Sequence, residues 1–261
     1  MQQHELQARF DFACRLVEEA GSFALGHFGR LASLTIRSKG RQDLASEADL
    51  DTELLIRERL AGAFPADAFF GEETGYGALD DARGIWVVDP IDGTQPFLAG
   101  LSAWCVSVAF VADGVLEFGL VTAPARRETY VGRRGGRATL NGAPIQVSAA
   151  ARLDEGMVGV GYSLRVTPAG FLPMFGRLLE QGGMFTREGS GALSLCSVAC
   201  GRLIGYVEPH INSYDCLGAL AVIEAAGGRF NDFLADGGLV KGNRLVAGPP
   251  ALFPALAALF D

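Results

Sequence analysis

No stretch of the chain reaches the roughly 18 uninterrupted apolar residues of a membrane span. The nearest approach, WCVSVAFVADGVLEFGLV, is broken by Asp113, Gly114 and Glu117. The opening segment, MQQHELQARFDFACRLVEEA, lacks a basic patch followed by an apolar core, so no secretory signal peptide is expected. Cysteine is sparse and unpatterned: five residues, an odd number, with no CxxC pair. That argues against a disulfide framework or zinc ribbon and favours a reducing, cytoplasmic setting. Basic residues are outnumbered, 22 Lys and Arg against 30 Asp and Glu, and the net charge of −8 speaks against nucleic acid as a partner. His4, His27 and His210 are too far apart to make a zinc motif, and HExxH is absent. The segment GSGALS is neither a Walker loop nor a GxSxG elbow, so ATP binding and serine hydrolysis gain nothing from it. Low-complexity runs, internal repeats and flexible linkers are also missing.

What is there suits a large folded core. The chain has 261 residues, 49% of them hydrophobic and 20% charged, enough for one domain or two tightly joined ones. Leu6, Phe10, Cys14, Val17, Gly21, Leu25 and Phe28 recur at helical spacing and predict a helix over residues 3–29. A short strand is expected at LTIRSK, and SEADLDTELLIRERLAGAF reads as a second helix capped by Ser46. A run of antiparallel strands should follow, from AFFGEE and GIWVVDPID onward, with Asp113-Gly114 and Asn141-Gly142 as tight turns. After about residue 145 strands alternate with helices, which suggests parallel or mixed sheet with helical crossovers. The expected division is residues 1–145, an α+β unit carrying most acidic motifs, and residues 146–261, an α/β unit.

The acids are the informative feature. In WVVDPIDGT a strand delivers Asp89, Pro90 fixes φ, and Gly93 permits a sharp turn that brings Asp92 back toward Asp89. Two carboxylates brought together repel unless a proton or a cation lies between them, and hard cations such as Mg²⁺ favour carboxylate oxygens. Thr94 stands where a short helix could begin and offer N–H groups to a phosphate. Each acid also has an ordinary structural use. Asp89 and Asp92 can form a turn, Glu72-Glu73 a solvated loop end, Asp49 a first-turn acid, and Asp215 a helix cap.

Taken together, Asp49, Glu72-Glu73, Asp89-Pro-Ile-Asp92-Gly-Thr94, Asp215 and Gly227-Gly228 resemble the inositol monophosphatase superfamily. These are magnesium-dependent, often lithium-sensitive phosphatases related to fructose-1,6-bisphosphatase. The likeness runs through nearly the whole chain, including SKGRQDLASEAD. It implies a layered αβαβα sandwich of mixed α and β structure, a homodimer, and two or three Mg²⁺ per site. Glu72, Asp89 and the Ile91 carbonyl would hold one ion, and Asp89, Asp92 and Asp215 another. Asp49, Thr94 and Glu72 would orient a water. Asp92, Gly93, Thr94 and Asp215 would border the substrate's phosphate end, with Gly189, Ser190, Gly191 and Glu208 around its organic part and Lys39 in a loop near the metals. The implied substrate is a small polyol phosphate such as inositol 1-phosphate, with histidinol phosphate as the alternative. Fructose bisphosphate, a 3′,5′-bisphosphate nucleotide and a non-catalytic role through partners rank lower. Two departures bear on the substrate: Tyr214 precedes Asp215 where the family has Trp, and Gln95-Pro96 replaces Thr-Asn.

Overall fold

The computed structural model describes residues 1–40, 43–77, 79 and 82–261, apart from the side chains of 33, 37–40 and 43–45; the expected Lys39 contact lies outside this set. Helix α1 (Gln3–Phe28) leads to a hairpin of β1 (Ile36–Gly40) and β2 (Asp43–Ser46), then helix α2 (Glu47–Ala63). Ser46 caps α2 as expected: its hydroxyl accepts the Ala48 N–H, and Asp49 accepts the Ser46 N–H in return. The buried face of α1 runs through Ala13, Leu16, Val17, Ala20, Gly21 and Ala24, and its alanines and glycine let the helix lie close to the sheet beneath. Leu25, predicted for that face, is exposed.

Strands β3 (Ala68–Gly71), β4 (Gly75–Tyr76) and β5 (Gly84–Asp92) precede a short helix, α3 (Thr94–Leu98). Strands β6 (Cys105–Ala112), β7 (Val115–Ala123), β8 (Glu128–Arg133), β9 (Thr139–Leu140) and β10 (Ala143–Pro144) follow. Together they form an eight-stranded sheet in the order β10-β9-β8-β7-β6-β5-β3-β4. Asp113-Gly114 and Asn141-Gly142 have positive φ at both positions and turn β6 into β7 and β9 into β10. The expectation of a wholly antiparallel run fails at one place. The chain reverses through β4 before entering β5, so β3 and β5 pair parallel. Parallel pairing puts their C-terminal ends at the same edge, which places Glu72 beside Asp89.

The second half forms β11 (Met157–Val160), α4 (Pro168–Glu180), β12 (Met184–Thr186), α5 (Gly191–Ala199), β13 (Gly205–Ile211) and α6 (Leu217–Ala225). It ends with β14 (Arg229–Phe230), α7 (Gly238–Lys241), β15 (Asn243–Gly248) and α8 (Phe253–Ala257). Its five strands make a mixed sheet, β12-β11-β13-β15-β14, parallel at β12-β11-β13 and antiparallel beyond.

Strand alternation sorts these elements into five layers. Trp86, Val88, Val106, Val108 and Phe110 face α1 and α2, while Ile85, Val87, Ala109 and Val111 face α5 and α6. On the second sheet Tyr206, Leu245 and Ala247 face α5 and α6, and Val207 and Val246 face α4 and α8. Helix α6, LGALAVIEA, is apolar on nearly every side because sheet covers it from two directions. It lies so close to β7 that a Cβ on Gly119 would fall 2.1 Å from the Gly218 carbonyl oxygen. The two sheets divide near residue 145, yet α5 and α6 join both in one core. Two arginines of the segment GRRGGR (132–137) serve this architecture: Arg133 bonds Gln7 and covers the Phe10 ring, and Arg134 pairs with Glu117 at 3.6 Å. Among the described residues, no helix is long and apolar enough to cross a membrane.

Candidate active site

The site is built where β5 ends. With a period of two, residues three apart on a strand point to opposite faces. Asp89 pairs with Ser107 but Asp92 pairs with Cys105, so β5 carries one extra residue there, a β-bulge. Pro90, which has no N–H for the ladder, occupies the bulge at no cost in lost bonds. The bulge returns Asp92 to the same side as Asp89, and the Ile91 N–H donates to Asp89 Oδ1 at 3.0 Å. Gly93 then takes φ 94° and caps α3; a Cβ there would fall 2.6 Å from the Ala103 carbonyl.

Asp215 arrives from the loop between β13 and α6. Its Oδ2 accepts the Asn212 N–H at 3.2 Å, behind it in sequence, instead of capping α6. As a result Asp89, Asp92 and Asp215 each present an oxygen within 4.8 Å of the other two. Burial pushes the Asp89 carboxyl well above the usual range, and the charges of Glu72, Asp92 and Asp215 push it further. Burial lifts Asp92 to about 7, aided by Asp215 and opposed by bonds from Ser190, Ala192 and Gly191. Asp215 is raised mainly by burial, with Arg165 opposing.

Asp89 Oδ2 is buried and accepts no hydrogen bond among the described residues. An orphaned carboxyl oxygen beside two further carboxyl groups is the donor set a hard divalent cation requires. The residues present therefore fit such an ion. Glu72, half-buried on the turn after β3, stands outside the three-aspartate group, and its charge acts on Asp89.

Thr94 lies at the start of α3 with its hydroxyl 3.0 Å from Asp49 Oδ1 and 3.2 Å from the Ile91 carbonyl. Asp49 is wholly buried, and its Oδ2 accepts both the N–H and the hydroxyl of Ser46, at 2.8 and 2.7 Å. Burial raises its pKa, and these bonds oppose the rise.

Gly189, Ser190, Gly191 and Glu208, expected around a substrate, all line one cavity, and each also has a contact within the chain. Ser190 caps α5, and its hydroxyl donates to Asp92 Oδ2 at 2.5 Å. The Ala192 N–H reaches the same oxygen at 2.6 Å, and the Gly191 N–H reaches Oδ1 at 3.3 Å. The first turn of α5 thus holds Asp92. Gly189, at φ 95°, packs against Pro96, whose Cγ a Cβ would approach to 2.7 Å. Pro96 and Gly189 are a matched pair at the rim. Glu208 is buried on β13, where Tyr206 donates its hydroxyl to Oε2 at 2.6 Å. Burial lifts Glu208 to about 8, with the Tyr206 bond opposing. Tyr214, beside Asp215, stacks on Phe70 and accepts a 2.7 Å bond from Asn212.

A cavity of about 150 Å³ opens beside these groups, with Asp92, Arg165, Arg187, Gly189, Glu208 and Asp215 among its walls. Arg165, Arg187 and Tyr206 escaped the sequence reading. Arg187 stands two residues before Gly189, a signal that could have found it; Arg165 sits in a loop with no motif around it.

The sequence matches the family described as "Inositol monophosphatase family" over residues 5–261. It is 31% identical to "Nus factor SuhB" of Pseudomonas aeruginosa, covering 96% of this chain and 95% of the other. It is 32% identical to "Histidinol-phosphatase" of Chlorobaculum parvum, covering 92% of each. Among solved structures, the extragenic suppressor protein suhB of Bartonella henselae superposes with a TM-score of 0.90 at 26% identity, covering 97% of this chain and 98% of that one. With its fold, its carboxylate cluster and its sequence in agreement, the chain belongs to the inositol monophosphatase family.

Proposed function

We propose that this protein is a magnesium-dependent phosphomonoesterase acting on a small polyol phosphate, with inositol 1-phosphate as the leading candidate. The observation that carries the reading is the trio of buried Asp89, buried Asp92 and half-buried Asp215 with an unpartnered Asp89 oxygen. Asp89, Asp92 and Asp215 would hold one cation; Asp89, Glu72 and the Ile91 carbonyl would hold a second, and a third, weaker site would lie near Glu72. The chemistry such cations supply is a lowered pKa for water and neutralised charge on the attacking and leaving oxygens.

The chain's own groups do the rest. A Thr94 hydroxyl that donates to Asp49 keeps its lone pairs for a proton of the attacking water, fixing that water's direction. Asp49 can accept this bond because Ser46 occupies its other oxygen. The Gly93 and Thr94 N–H groups border the phosphate oxygens. Glu208 meets substrate hydroxyls through the oxygen that Tyr206 leaves open.

Histidinol phosphate is the second reading, favoured by the C. parvum relative's name and by an acidic pocket wall that would also suit an ammonium group. Action through a partner, suggested by the name of the P. aeruginosa relative, would not require an intact carboxylate set. The test is phosphate release from inositol 1-phosphate, histidinol phosphate, fructose 1,6-bisphosphate and adenosine 3′,5′-bisphosphate at one Mg²⁺ concentration, with EDTA controls. A preference of about 100-fold in kcat/KM for the inositol ester supports the proposal. Equal or absent turnover on all four rejects it.

A further inference from the structure

Helix α2 carries two wholly buried carboxylates one turn apart on the same face, Asp49 and Glu53. Asp49 reaches Thr94. Glu53 reaches the opposite side of the site, where its Oε2 accepts the Glu73 N–H at 2.8 Å and its Oε1 accepts the Thr74 N–H at 2.6 Å. Those amides directly follow Glu72 in the turn between β3 and β4. The backbone also passes close over the carboxylate: a Cβ on Gly71 would fall 2.5 Å from the Glu53 carboxyl carbon.

An ionised side chain is costly to bury unless its oxygens are met by well-aligned donors. Here two adjacent amides meet two oxygens, a match that an amide or hydroxyl side chain could not reproduce. The geometry constrains a turn whose first residue, Glu72, faces the Asp89 cluster. We propose that Glu53 is a positioning residue that fixes the Glu72 turn and so sets the direction in which Glu72 offers its carboxylate to a divalent cation. This rests on the reading of Glu72 as a cation ligand given above.

Glu53→Gln would present one acceptor and one donor to two N–H groups, leaving one amide unpaired and the turn loose. Groups that support metal ligands typically cost 10–100-fold in metal affinity when replaced. The experiment is a double-mutant cycle in which Mg²⁺ affinity is measured by calorimetry for the wild-type protein, Glu53→Gln, Glu72→Gln and the double variant. Hydrogen exchange at the Glu73 and Thr74 amides is followed alongside. Glu53→Gln is expected to weaken Mg²⁺ binding about tenfold or more and to speed exchange at those two amides about tenfold, with β6 amides unchanged. The same substitution made on Glu72→Gln should cost nothing further, a result that a general structural role would not produce. Wild-type Mg²⁺ affinity in Glu53→Gln, or an equal loss with and without Glu72, overturns the positioning role while leaving the cation site in place. Unchanged affinity in Glu72→Gln instead overturns the ligand assignment beneath both. If Glu53→Gln does not fold, Glu53→Asp keeps the charge, shortens its reach by one methylene, and is carried through the same cycle with the same criteria.

Discussion

Ser190 donates its hydroxyl to Asp92 at 2.5 Å across 98 residues of chain. The bond ties the end of β5, in the first sheet, to the N-terminus of α5, in the layer between the sheets. Ser190 also caps α5 by accepting the Leu193 N–H at 3.1 Å. Ser190→Ala therefore removes a bond to a charged group, worth ~1.5–3 kcal/mol, and a helix cap worth ~1 kcal/mol. Chemical denaturation should show a loss of about 2–4 kcal/mol. The bond holds the Asp92 pKa down, so its removal should move the acidic limb of the kcat/KM profile to higher pH. An unmoved limb would mean that Asp92 does not govern that limb.

The clustered carboxylates make the metal-free protein sensitive to pH in an unusual direction. Folding raises the pKa of Asp92 from an ordinary carboxylate value to about 7, chiefly by burial, and raises Asp89 and Asp215 as well. Between about pH 4 and 7 the folded chain thus keeps protons that the unfolded chain has released. Stability falls as pH rises through that window, by about 1.4 kcal/mol per pH unit for each proton retained. In EDTA the melting temperature should be higher at pH 5.5 than at pH 8. Added Mg²⁺ should stabilise the fold more at pH 8, where the cluster is anionic. Scanning calorimetry at both pH values, with and without Mg²⁺, measures this; equal Mg²⁺ shifts would separate the ion from the aspartates.

Asp92 and Thr94 should divide binding from chemistry. Asp92→Asn can keep an oxygen toward Ser190 and Ala192, so the fold should survive, but the charge facing Asp89 and Asp215 is lost. Phosphate release should drop below detection and the Mg²⁺-induced rise in melting temperature should shrink. Thr94→Ala removes the hydroxyl between Asp49 and Ile91, together with the γ-methyl, and leaves every carboxylate in place. Its kcat should fall ~10²–10⁴-fold, the usual worth of a group that positions or moves a proton, with Mg²⁺ affinity within about threefold of wild type. Steady-state kinetics across a Mg²⁺ titration separates the two patterns.

Asp89 and Asp92 were legible as a carboxylate pair at a strand end, whereas Asp215 looked like a helix-start acid and joined them only through the family resemblance; the three converge. A helix start at Ser190 can be read from the flanking glycines and the apolar run that follows, but the bond it makes cannot. Nothing local to GSGAL names a carboxylate 98 residues earlier as the acceptor. The parallel pairing of β3 and β5 was hidden for a related reason: the two-residue strand β4 that reverses the chain is too short to carry a period. Glu53 shares a face of α2 with Ala48, Thr52 and Ile56, where sequence periodicity cannot tell a buried acid that grips a loop from a solvated one. Partners fixed by tertiary packing leave no trace in residue spacing.

Glu208 offers the sharpest test of substrate class. Its Oε2 is engaged by Tyr206, and the side chain packs tightly against Gly161, where a Cβ would fall 2.1 Å from that oxygen. The carboxyl group is therefore held in one orientation, with its other oxygen available to the cavity that Asp92 and Asp215 also line. A polyol hydroxyl can bond to that oxygen; an aryl phosphate without hydroxyls cannot. Glu208→Ala should lower kcat/KM for inositol 1-phosphate about 10–100-fold, the cost of a lost hydrogen bond in a desolvated pocket. For p-nitrophenyl phosphate the same variant should stay within about threefold of wild type, because the phosphate end of the site is untouched. Tyr206→Phe frees Glu208 to turn and removes a bond that holds its pKa down, so it should reproduce part of the inositol-specific loss. Equal losses on both esters would place Glu208 in support of the cation cluster and remove the case for a polyol.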